Sequence, residues 1–246
     1  MEFDFSGKTA LVTGASRGIG REIVHLLSTF KCKVIALGRD LNKLTELKEN
    51  LSNIEIVCID LSDWSGTKNA LQPYRNQIDL LVNNAAYAKC TPLGSIDEKE
   101  IDDHYNVNVK AIINVTQCCL DRMKQNRSGS IVNVSSVAGL VGLRDHLVYG
   151  GTKASLDLMT KIMALELGSF NIRVNSINPG VTWTEMAMVG WSDEQKRQWM
   201  LDRCPLGRFS EPKEIAKAVI FLLSEHSSMI NGINLPIDGG VLNTKL

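Results

Sequence analysis

The fold of this chain is decided by the stretch Lys8-Thr9-Ala10-Leu11-Val12-Thr13-Gly14-Ala15-Ser16-Arg17-Gly18-Ile19-Gly20. An apolar run of strand length opens the stretch, and a helical pattern follows from residue 19 to residue 30. Between them Gly14 allows a tight turn, Gly18 lets the backbone approach a pyrophosphate, and Gly20 permits close packing of helix on strand. The amino end of the helix then faces the phosphates. The stretch therefore predicts a dinucleotide-binding unit of strand, turn and helix.

The spacing of the glycines distinguishes between classes of nucleotide-binding site. It is G-x-x-x-G-x-G, which differs from the G-x-G-x-x-G of the commonest dinucleotide fingerprint. The loop does not end in Gly-Lys-Ser/Thr, so a P-loop NTPase is excluded. A plain glycine turn is the alternative, but the position directly after the first strand favours a dinucleotide site.

Strand-length apolar runs and helical patterns alternate along the rest of the chain, at about 25 residues per unit. The runs are continuous rather than alternating, which is typical of parallel strands with both faces covered. We therefore predict an α/β fold, a doubly wound (Rossmann) parallel sheet of about seven strands with helices on both faces. The predicted strands are 8–12, 33–37, 55–59, 79–83, 130–134, 172–177 and 233–237, and the helices are 19–30, 41–51, 64–72, 98–124, 148–167 and 212–223.

The segment 182–205 interrupts this pattern, and we predict an irregular structure for it. It contains three tryptophans and three methionines, which is unusual for a surface loop. Its size and apolar content are typical of a lid over a substrate site. Apart from this insertion, residues 1–246 are predicted to form a single domain.

Composition limits the partners and the location. Lys+Arg and Asp+Glu both number 27, so nothing favours nucleic acid as a partner. No apolar run has the length of a transmembrane segment, and the acidic start lacks the features of a secretory signal. The six cysteines follow no disulfide or metal-ligand spacing. We expect a cytoplasmic protein without a metal ion.

The coenzyme is predicted from the end of the second strand, Leu37-Gly38-Arg39-Asp40. A carboxylate there binds the ribose 2′-hydroxyl of NAD, whereas an arginine favours the 2′-phosphate of NADP. Arg39 and, in the glycine loop, Arg17 suit a phosphate. Asp40 is the alternative signal for NAD, but it can equally cap the helix that follows. We predict NADP(H).

Polar residues also follow the other strands. They are Asp60 and Leu61 after the third strand, Asn83 and Ala85 after the fourth, and Ser136 after the fifth. The carboxyl ends of parallel strands are where ligands bind in open α/β sheets. Turn chemistry is the alternative explanation for such residues.

Tyr149 and Lys153 lie four residues apart in a predicted helix and share one face. A lysine charge about 4 Å from a phenol, at an effective dielectric constant near 20, contributes about 4 kcal/mol, or roughly three pKa units. We expect Lys153 to lower the pKa of Tyr149 from about 10 toward 7, where it exchanges protons with a hydroxyl or carbonyl. The intervening Gly150-Gly151 costs up to about 1 kcal/mol per glycine in a helix, which predicts a close approach of coenzyme or substrate.

Six motifs in order carry a resemblance. They are Thr13-Gly14-x3-Gly18-x-Gly20, Asn83-Asn84-Ala85, Asn108 between two valines, Ser136, Tyr149-x3-Lys153 and Pro179-Gly180. Together they resemble the short-chain dehydrogenase/reductase family over essentially the whole chain. Ala86 stands where many relatives have glycine, a departure that adds one methyl group.

The resemblance implies a catalytic set of Asn108, Ser136, Tyr149 and Lys153. Tyr149 is then the general acid in carbonyl reduction, and Ser136 holds the carbonyl oxygen. Lys153 binds the nicotinamide ribose and lowers the pKa of Tyr149, and Asn108 holds a water that relays protons to Lys153. The implied coenzyme contacts are Gly14, Ser16, Arg17, Gly18, Ile19, Gly20, Arg39, Asp60, Leu61, Asn83, Ala85, Tyr149, Lys153, Pro179, Gly180, Thr182 and Thr184.

Further segments are similar to the L-xylulose and dicarbonyl reductase branch of that family. They are Asp60-Leu61-Ser62-Asp63-Trp64, Asn84-Ala85-Ala86, His146-x-x-Tyr149, Met163-Ala164-Leu165-Glu166-Leu167-Gly168, Trp191-Ser192-Asp193 and Pro205-Leu206-Gly207. That branch implies a homotetramer that reduces small ketoses or α-dicarbonyls with NADPH. His146 and Trp191 then lie near the substrate, with Ser136 and Tyr149.

Three alternatives stay open from the residues. A 3-oxoacyl carrier-protein reductase needs a basic patch near the site, to which Lys196 and Arg197 could contribute. A hydroxysteroid or other alcohol dehydrogenase of the same family uses the same catalytic residues. A non-catalytic module that senses NADP(H) needs neither the tyrosine nor the lysine, so the complete set argues against it.

Overall fold

A computed structural model describes residues 2–244, apart from the side chains of Met186 and Val189, and builds this range around one sheet of seven parallel strands. The strands are β1 (Thr9–Thr13), β2 (Lys33–Gly38), β3 (Ile54–Cys58), β4 (Leu80–Asn83), β5 (Gly129–Val134), β6 (Ile172–Pro179) and β7 (Asn234–Ile237). Their order in the sheet is β3-β2-β1-β4-β5-β6-β7. The predicted doubly wound parallel sheet is confirmed.

Helices cover both faces of the sheet. They are α1 (Gly18–Thr29), α2 (Leu41–Asn50), α3 (Trp64–Leu71), α4 (Glu98–Tyr105), α5 (Ala111–Asn126), α6 (Leu147–Gly168), α7 (Glu185–Gly190), α8 (Glu194–Leu201) and α9 (Pro212–Leu223). None of the helices in the described range has the length and apolar composition needed to cross a bilayer.

The first strand illustrates why the apolar runs are continuous. Ala10 and Val12 belong to the core on one face of the sheet, together with Ile23 of α1. Leu11, between them, belongs to the core on the opposite face, together with Val115 of α5. All five side chains are fully buried. Because successive residues of a strand point to opposite faces, a strand covered on both sides needs apolar residues at every position.

The strand order changes direction at β1, which pairs with β2 on one side and with β4 on the other. At such a switch point the loops leave the sheet in opposite directions and open a crevice outside the carboxyl ends of the strands. The glycine loop leaves β1 at this point. The carboxyl ends of β1, β4, β5 and β6 therefore define where a ligand fits.

Two predicted segments differ from the structure. The helix predicted for 98–124 is divided into α4 and α5 by a π-helical turn, Asn106–Lys110. The prediction of an irregular 182–205 segment was wrong, because the segment contains α7 and α8. Each of these short helices begins at a capping side chain, Thr184 for α7 and Asp193 for α8, and such caps let short helices form where propensity alone does not.

Candidate active site

The glycine loop has the backbone conformation that its sequence predicts. Gly14 and Gly18 have φ angles of +65° and +55°, a region that side chains with a Cβ rarely occupy. A Cβ at Gly20 would overlap the carbonyl oxygen of Gly14. The glycines at 14 and 20 therefore let α1 start directly against the end of β1.

The amino end of α1 fits a phosphate group. At its N-cap, Arg17 is extended, and within the described chain no side chain caps the helix there. The helices α2, α3 and α4 differ, because Asp40, Asp63 and Asp97 accept hydrogen bonds from their first turns. The first N–H groups of α1 are thus available to an anion, and the helix dipole favours one there.

The loop is anchored by a residue outside the predicted coenzyme set. Asn84 donates its amide to the carbonyl oxygens of Thr13, at 2.9 Å, and Gly14, at 3.2 Å. The Thr13 hydroxyl in turn accepts from the backbone N–H groups of Asn84 and Ala85. The side chain of Asn83 points into the core, where it donates to Asn133 at 2.9 Å. Only the backbone of Asn83 lies at the crevice.

Around the predicted 2′-phosphate position, the Arg39 side chain is 64% exposed and lies 3.5 Å from Asp60. Arg17 lies 3.4 Å from Glu185. Asp40 accepts a hydrogen bond from the backbone N–H of Lys43 at 3.1 Å, so it is the N-cap of α2, the second of its two predicted roles. Leu61 is buried beside Asp60.

A third cation was missed there. Lys43, on α2, lies 2.9 Å from the Glu185 carboxylate that Arg17 also contacts. Its position three residues after the N-cap places it on the first turn of α2, which is the signal that could have identified it. Arg17, Arg39 and Lys43 could hold a phosphate.

The catalytic candidates meet at the end of β5. Ser136 follows this strand, its hydroxyl accepts from the backbone N–H of Ala138 at 3.1 Å, and its side chain interacts with the phenol of Tyr149. Lys153 is 1% exposed. Its ammonium donates to the carbonyl oxygen of Val134 at 2.8 Å and lies 5.6 Å from the centre of the Tyr149 ring. The strand thus brings a phenol, a hydroxyl and a buried ammonium together.

The expected pKa shift of the tyrosine was wrong for the chain by itself. Burial raises the pKa of Tyr149 to about 12, although its interaction with Ser136 lowers it. Burial also lowers the pKa of Lys153 to about 8, against the attraction of Asp157. The prediction of a lowered phenol pKa considered only the lysine charge at about 4 Å and left out desolvation, which dominates here. At neutral pH the phenol therefore keeps its proton.

Asn108 lies in the π-helical turn and is fully buried. Its Oδ1 accepts from the N–H of Tyr87 at 2.8 Å, and its Nδ2 donates to the carbonyl of Tyr87 at 2.9 Å and to the hydroxyl of Thr152 at 3.0 Å. The amide therefore joins the chain after β4 to the residue before Lys153. A carbonyl oxygen has a second lone pair, so Oδ1 can also accept from a water.

The two glycines between tyrosine and lysine have different surroundings. A Cβ at Gly150 would lie 2.8 Å from the carbonyl oxygen of Ala138, whereas at Gly151 it would face open space among the described residues. Close packing of α6 on the loop after Ser136 explains Gly150. For Gly150 the close approach is thus a contact within the protein, whereas the expected approach of coenzyme or substrate stays a prediction for Gly151.

A buried polar network behind the lysine was not predicted. Asp157 lies one turn after Lys153 on α6 and is 4% exposed. Its carboxylate accepts from the amide of Asn178 at 2.9 Å, and the same amide donates to the carbonyl of Ser136 at 3.0 Å. Burial raises the pKa of Asp157. The spacing of four residues from Lys153 is the signal that could have identified it.

The chain after β6 approaches the glycine loop. Pro179 ends β6, and Gly180 packs against Asp238 so closely that a Cβ there would lie 3.0 Å from its Cα. Thr182 is hydrogen-bonded to Ser210 at 2.9 Å. Thr184 caps α7, and a Cβ on Gly18 would lie 3.2 Å from its Cγ2. Ser16 and Ile19 belong to the loop and to α1, on the other side of the crevice.

His146 and Trp191, the other two predicted substrate residues, lie in different parts of the structure. His146 is the N-cap residue of α6, with its ring 6.3 Å from the ring of Tyr149. Trp191 instead packs against Phe209, at 6.0 Å, and below the ammonium of Lys196, at 4.9 Å. His146 is thus next to the catalytic candidates, and Trp191 belongs to the cluster formed by the 182–205 segment and its neighbours.

Comparison with known proteins adds independent findings. A family model described as enoyl-(acyl carrier protein) reductase matches residues 14–242. The chain is 44% identical over 245 residues to the L-xylulose reductase of Bos taurus, covering 99% of this chain and 100% of the relative. It is 38% identical over 243 residues to carbonyl reductase (NADPH) 2 of Sus scrofa, covering 98% and 99%.

A solved structure is similar throughout. It is a protein of Beutenbergia cavernae, provisionally named an NAD(P)-dependent gluconate 5-dehydrogenase, with NADP bound at low occupancy. The TM-score is 0.93 at 28% sequence identity, and the match covers 98% of this chain and 99% of the other.

Proposed function

The chain belongs to the short-chain dehydrogenase/reductase family, and on this premise we propose that it reduces small ketoses and α-dicarbonyls with NADPH. The observation that carries the proposal is the position of Tyr149 beside the buried ammonium of Lys153 and close enough to Ser136 for the serine to act on its pKa. These residues lie at the same sheet edge as the glycine loop. When bound, the coenzyme supplies the hydride.

Tyr149 is the proton donor in this proposal. Its phenol is protonated at neutral pH, because burial holds its pKa near 12. It donates its proton to the carbonyl oxygen of the substrate, which becomes a hydroxyl as the carbonyl carbon is reduced. Ser136 donates a hydrogen bond to the same oxygen and holds it within reach. A positioned acid of this kind accelerates a reaction by about 10² to 10⁴-fold.

Lys153 stabilises the phenolate that the reaction leaves on Tyr149. Its ammonium lies 5.6 Å from the centre of the Tyr149 ring in a buried site, where charges interact more strongly than in water. Asp157 favours the charged form of this lysine. A water held at Oδ1 of Asn108 completes the proposed path by which protons return, because that amide is bonded to Thr152, the residue before Lys153.

NADPH is proposed over NADH on three grounds. Arg17, Arg39 and Lys43 provide cations at the end of β2 and on the adjoining turns. Asp40, whose carboxylate could have marked NAD, is engaged as the cap of α2. The related carbonyl reductase is named for NADPH, and the similar structure holds NADP.

Small polar carbonyl compounds are the proposed substrates. The relative at 44% identity is named for L-xylulose, a ketose. His146, next to Tyr149, supplies a polar ring that can contact a hydroxyl or a second carbonyl of such a substrate. The 182–205 segment is the proposed lid, and Trp191 within it gives the lid an apolar side.

We also propose a cytoplasmic homotetramer. Leu158, Ile162 and Leu165 of α6 form a stripe at helical spacing, with exposed fractions of 60%, 44% and 82%. A stripe of this kind on a long helix is typical of a face that pairs with another subunit. Light scattering of the purified protein tests the mass expected for four chains.

The test of the function is a panel of carbonyl compounds assayed by NADPH oxidation. We expect turnover of L-xylulose and diacetyl, and loss of that turnover in Tyr149→Phe. Turnover of a steroid or of an acyl thioester, without turnover of either small compound, would reject the proposed substrates. Tight NADPH binding without turnover of any compound in the panel would instead indicate a coenzyme-sensing module.

A further inference from the structure

The segment 87–91 follows β4 and runs past the amino end of α6. Cys90 lies within this segment and is exposed. Its Sγ lies 3.3 Å from Nε2 of His146. The Nδ1 of His146 lies 2.6 Å from the carbonyl oxygen of Arg144, to which it can donate only as N–H. In the neutral ring Nε2 is therefore the acceptor, and the Cys90 thiol donates to it.

Three buried side chains hold the 87–91 segment from below. Glu100 and His104 lie on α4 and Asn108 in the π-helical turn, spaced by four residues, and they are 3%, 0% and 0% exposed. They contact the segment at successive points, since Asn108 binds Tyr87, while His104 and Glu100 bind Lys89. Their spacing places them along one side of the helix.

His104 fixes the backbone of the segment. Its Nδ1 lies 2.8 Å from the carbonyl oxygen of Glu100 and donates to it. Its Nε2 consequently accepts from the backbone N–H of Lys89, at 3.2 Å. The ring also packs edge-on against Tyr87, with centres 4.7 Å apart. Both nitrogens are used, so the ring holds one orientation.

Glu100 fixes the side chains of the segment. Its carboxylate lies 2.7 Å from the ammonium of Lys89, whose side chain is 49% exposed, while that of Glu100 is 2% exposed. The same carboxylate oxygen accepts from the hydroxyl of Thr91 at 2.8 Å. A buried carboxylate destabilises the fold unless a cation and hydrogen bonds compensate for its lost hydration. Here the partners flank Cys90 on both sides.

We infer that Glu100 and His104 are positioning residues for the substrate. By holding the two neighbours of Cys90, they place its thiol on His146 and so fix the imidazole beside Tyr149. Ser136 and Lys153 are held by β5 and α6, and Asn108 binds the segment only at Tyr87. The ring of His104 also lies edge-on to the ring of Tyr149, with centres 6.3 Å apart, whereas Glu100 supports only Lys89 and Thr91. Loss of the support should therefore weaken substrate binding and leave the chemical step intact. The inference rests on the proposed function, in which His146 contacts the substrate.

The first experiment compares Glu100→Ala with Glu98→Ala, a matched control on an exposed carboxylate of the same helix. We expect KM for L-xylulose or diacetyl to rise about tenfold in Glu100→Ala, with kcat within about twofold and the Kd of NADPH unchanged. Glu98→Ala should match the wild type. His104→Phe keeps an aromatic ring against Tyr87 and Tyr149 but removes the acceptor for Lys89, and it should show the same change in KM alone. A parallel fall of kcat and coenzyme affinity would overturn the inference.

The second experiment asks whether the effect passes through Cys90. Cys90→Ala should raise KM by a similar factor, and Cys90→Ser should restore it, because a hydroxyl also donates to Nε2 of His146. In the double variant Glu100→Ala/Cys90→Ala the two effects should not multiply, as expected for residues that act through one contact. Multiplication of the two factors would show that Glu100 acts elsewhere.

The third experiment does not depend on turnover. The rate of Cys90 alkylation by a maleimide, followed by peptide mass spectrometry, should rise in Glu100→Ala. The exposed thiol of Cys58 is the internal reference and should react at the same rate in both proteins. An unchanged Cys90 rate overturns the inference, whereas a raised rate in a protein without carbonyl turnover rejects only the proposed function. If Glu100→Ala does not fold, Glu100→Gln, which keeps an acceptor for Thr91, should give an intermediate rate.

Discussion

The amino ends and the carboxyl ends of the strands differ in how their buried polar groups are paired. At the amino ends, Asp79 accepts from the backbone N–H of Thr9 at 2.9 Å and from Arg122 at 2.7 Å. Arg173, at the start of β6, donates to the carbonyl of Leu222 and the hydroxyl of Ser227, both at 2.8 Å. These groups join strands to helices, and each charge meets protein partners.

At the carboxyl ends, a buried charged group is less completely paired with protein partners. The ammonium of Lys153 has three hydrogens to donate, and it is bonded to the carbonyl of Val134. Its pKa is lowered to about 8 by burial, which means that the protein holds the charged form at a cost in stability. The amino ends thus stabilise the fold, while the carboxyl ends retain groups that can act on a ligand. Substitutions at the two ends should have opposite consequences.

The largest effect is expected at the carboxyl end. Tyr149→Phe removes the phenolic hydroxyl, which is the proposed proton donor. We expect kcat for carbonyl reduction to fall about 10³-fold. The Kd of NADPH and the unfolding midpoint in urea should stay close to the wild type, because the ring is kept. Steady-state kinetics and coenzyme titration measure these quantities. Tyr105→Phe, at an exposed tyrosine, is the control, and more than a few per cent of residual activity in Tyr149→Phe would contradict the acid role.

At the amino end, a substitution is expected to lower stability and leave activity nearly unchanged. Arg173→Ala removes the buried guanidinium that joins β6 to the carbonyl of Leu222 at the end of α9 and to the hydroxyl of Ser227. We expect a loss of about 2–3 kcal/mol in the free energy of unfolding, with kcat/KM within about twofold at a temperature where the protein stays folded. Urea denaturation measures the first and initial rates the second. A loss of activity larger than the loss of folded protein would break the distinction between the two ends.

A smaller effect is expected at the rim of the carboxyl end, where the cations are exposed. Arg39→Asp should lower kcat/KM for NADPH about 30-fold and leave that for NADH nearly unchanged, because a charge-assisted contact to a phosphate contributes about 2 kcal/mol. Arg75→Asp is the matched control, since Arg75 is also an exposed arginine paired with an aspartate, Asp121. An unchanged coenzyme preference would assign the 2′-phosphate to Arg17 and Lys43.

The glycine loop and the parallel sheet could be predicted because they depend on local rules. Gly14 and Gly20 are required by backbone geometry within a single βα unit, and the continuous apolar runs report burial on both faces. Two roles were predicted for Asp40, and the position at which α2 starts is enough to identify it as the helix cap. Such features are encoded within about ten residues of one another.

The features that could not be predicted depend on contacts between distant segments. The π-helical turn at Asn106–Lys110 has no signature in the spacing of apolar residues, since it is stabilised by Tyr87 and Thr152 from two other segments. Gly150 is required by Ala138, and the raised pKa of Tyr149 is set by the burial of the whole cluster. A pair of residues in one helix cannot show how much water the fold removes around them.

The smallest effect, and the one that distinguishes the two ends most directly, is the response to pH. Lys153 has a pKa of about 8 in the folded chain against about 10.4 in an unfolded one. Between these values the unfolded chain holds more protons, so the stability of the folded state should rise with pH, by about 1–2 kcal/mol from pH 8 to 9.5. Reduction should slow over the same range, because the ammonium beside Tyr149 is lost. The raised pKa of Tyr149 acts in the opposite direction, but only above about pH 10.

The measurement is the difference in the free energy of unfolding by urea between the wild type and Lys153→Met at each pH. The contributions of groups common to both proteins cancel in this difference. A constant difference would mean that Lys153 does not titrate near 8, whereas a rise in stability that accompanies the fall in rate would show that the same buried charge serves the reaction and opposes the fold.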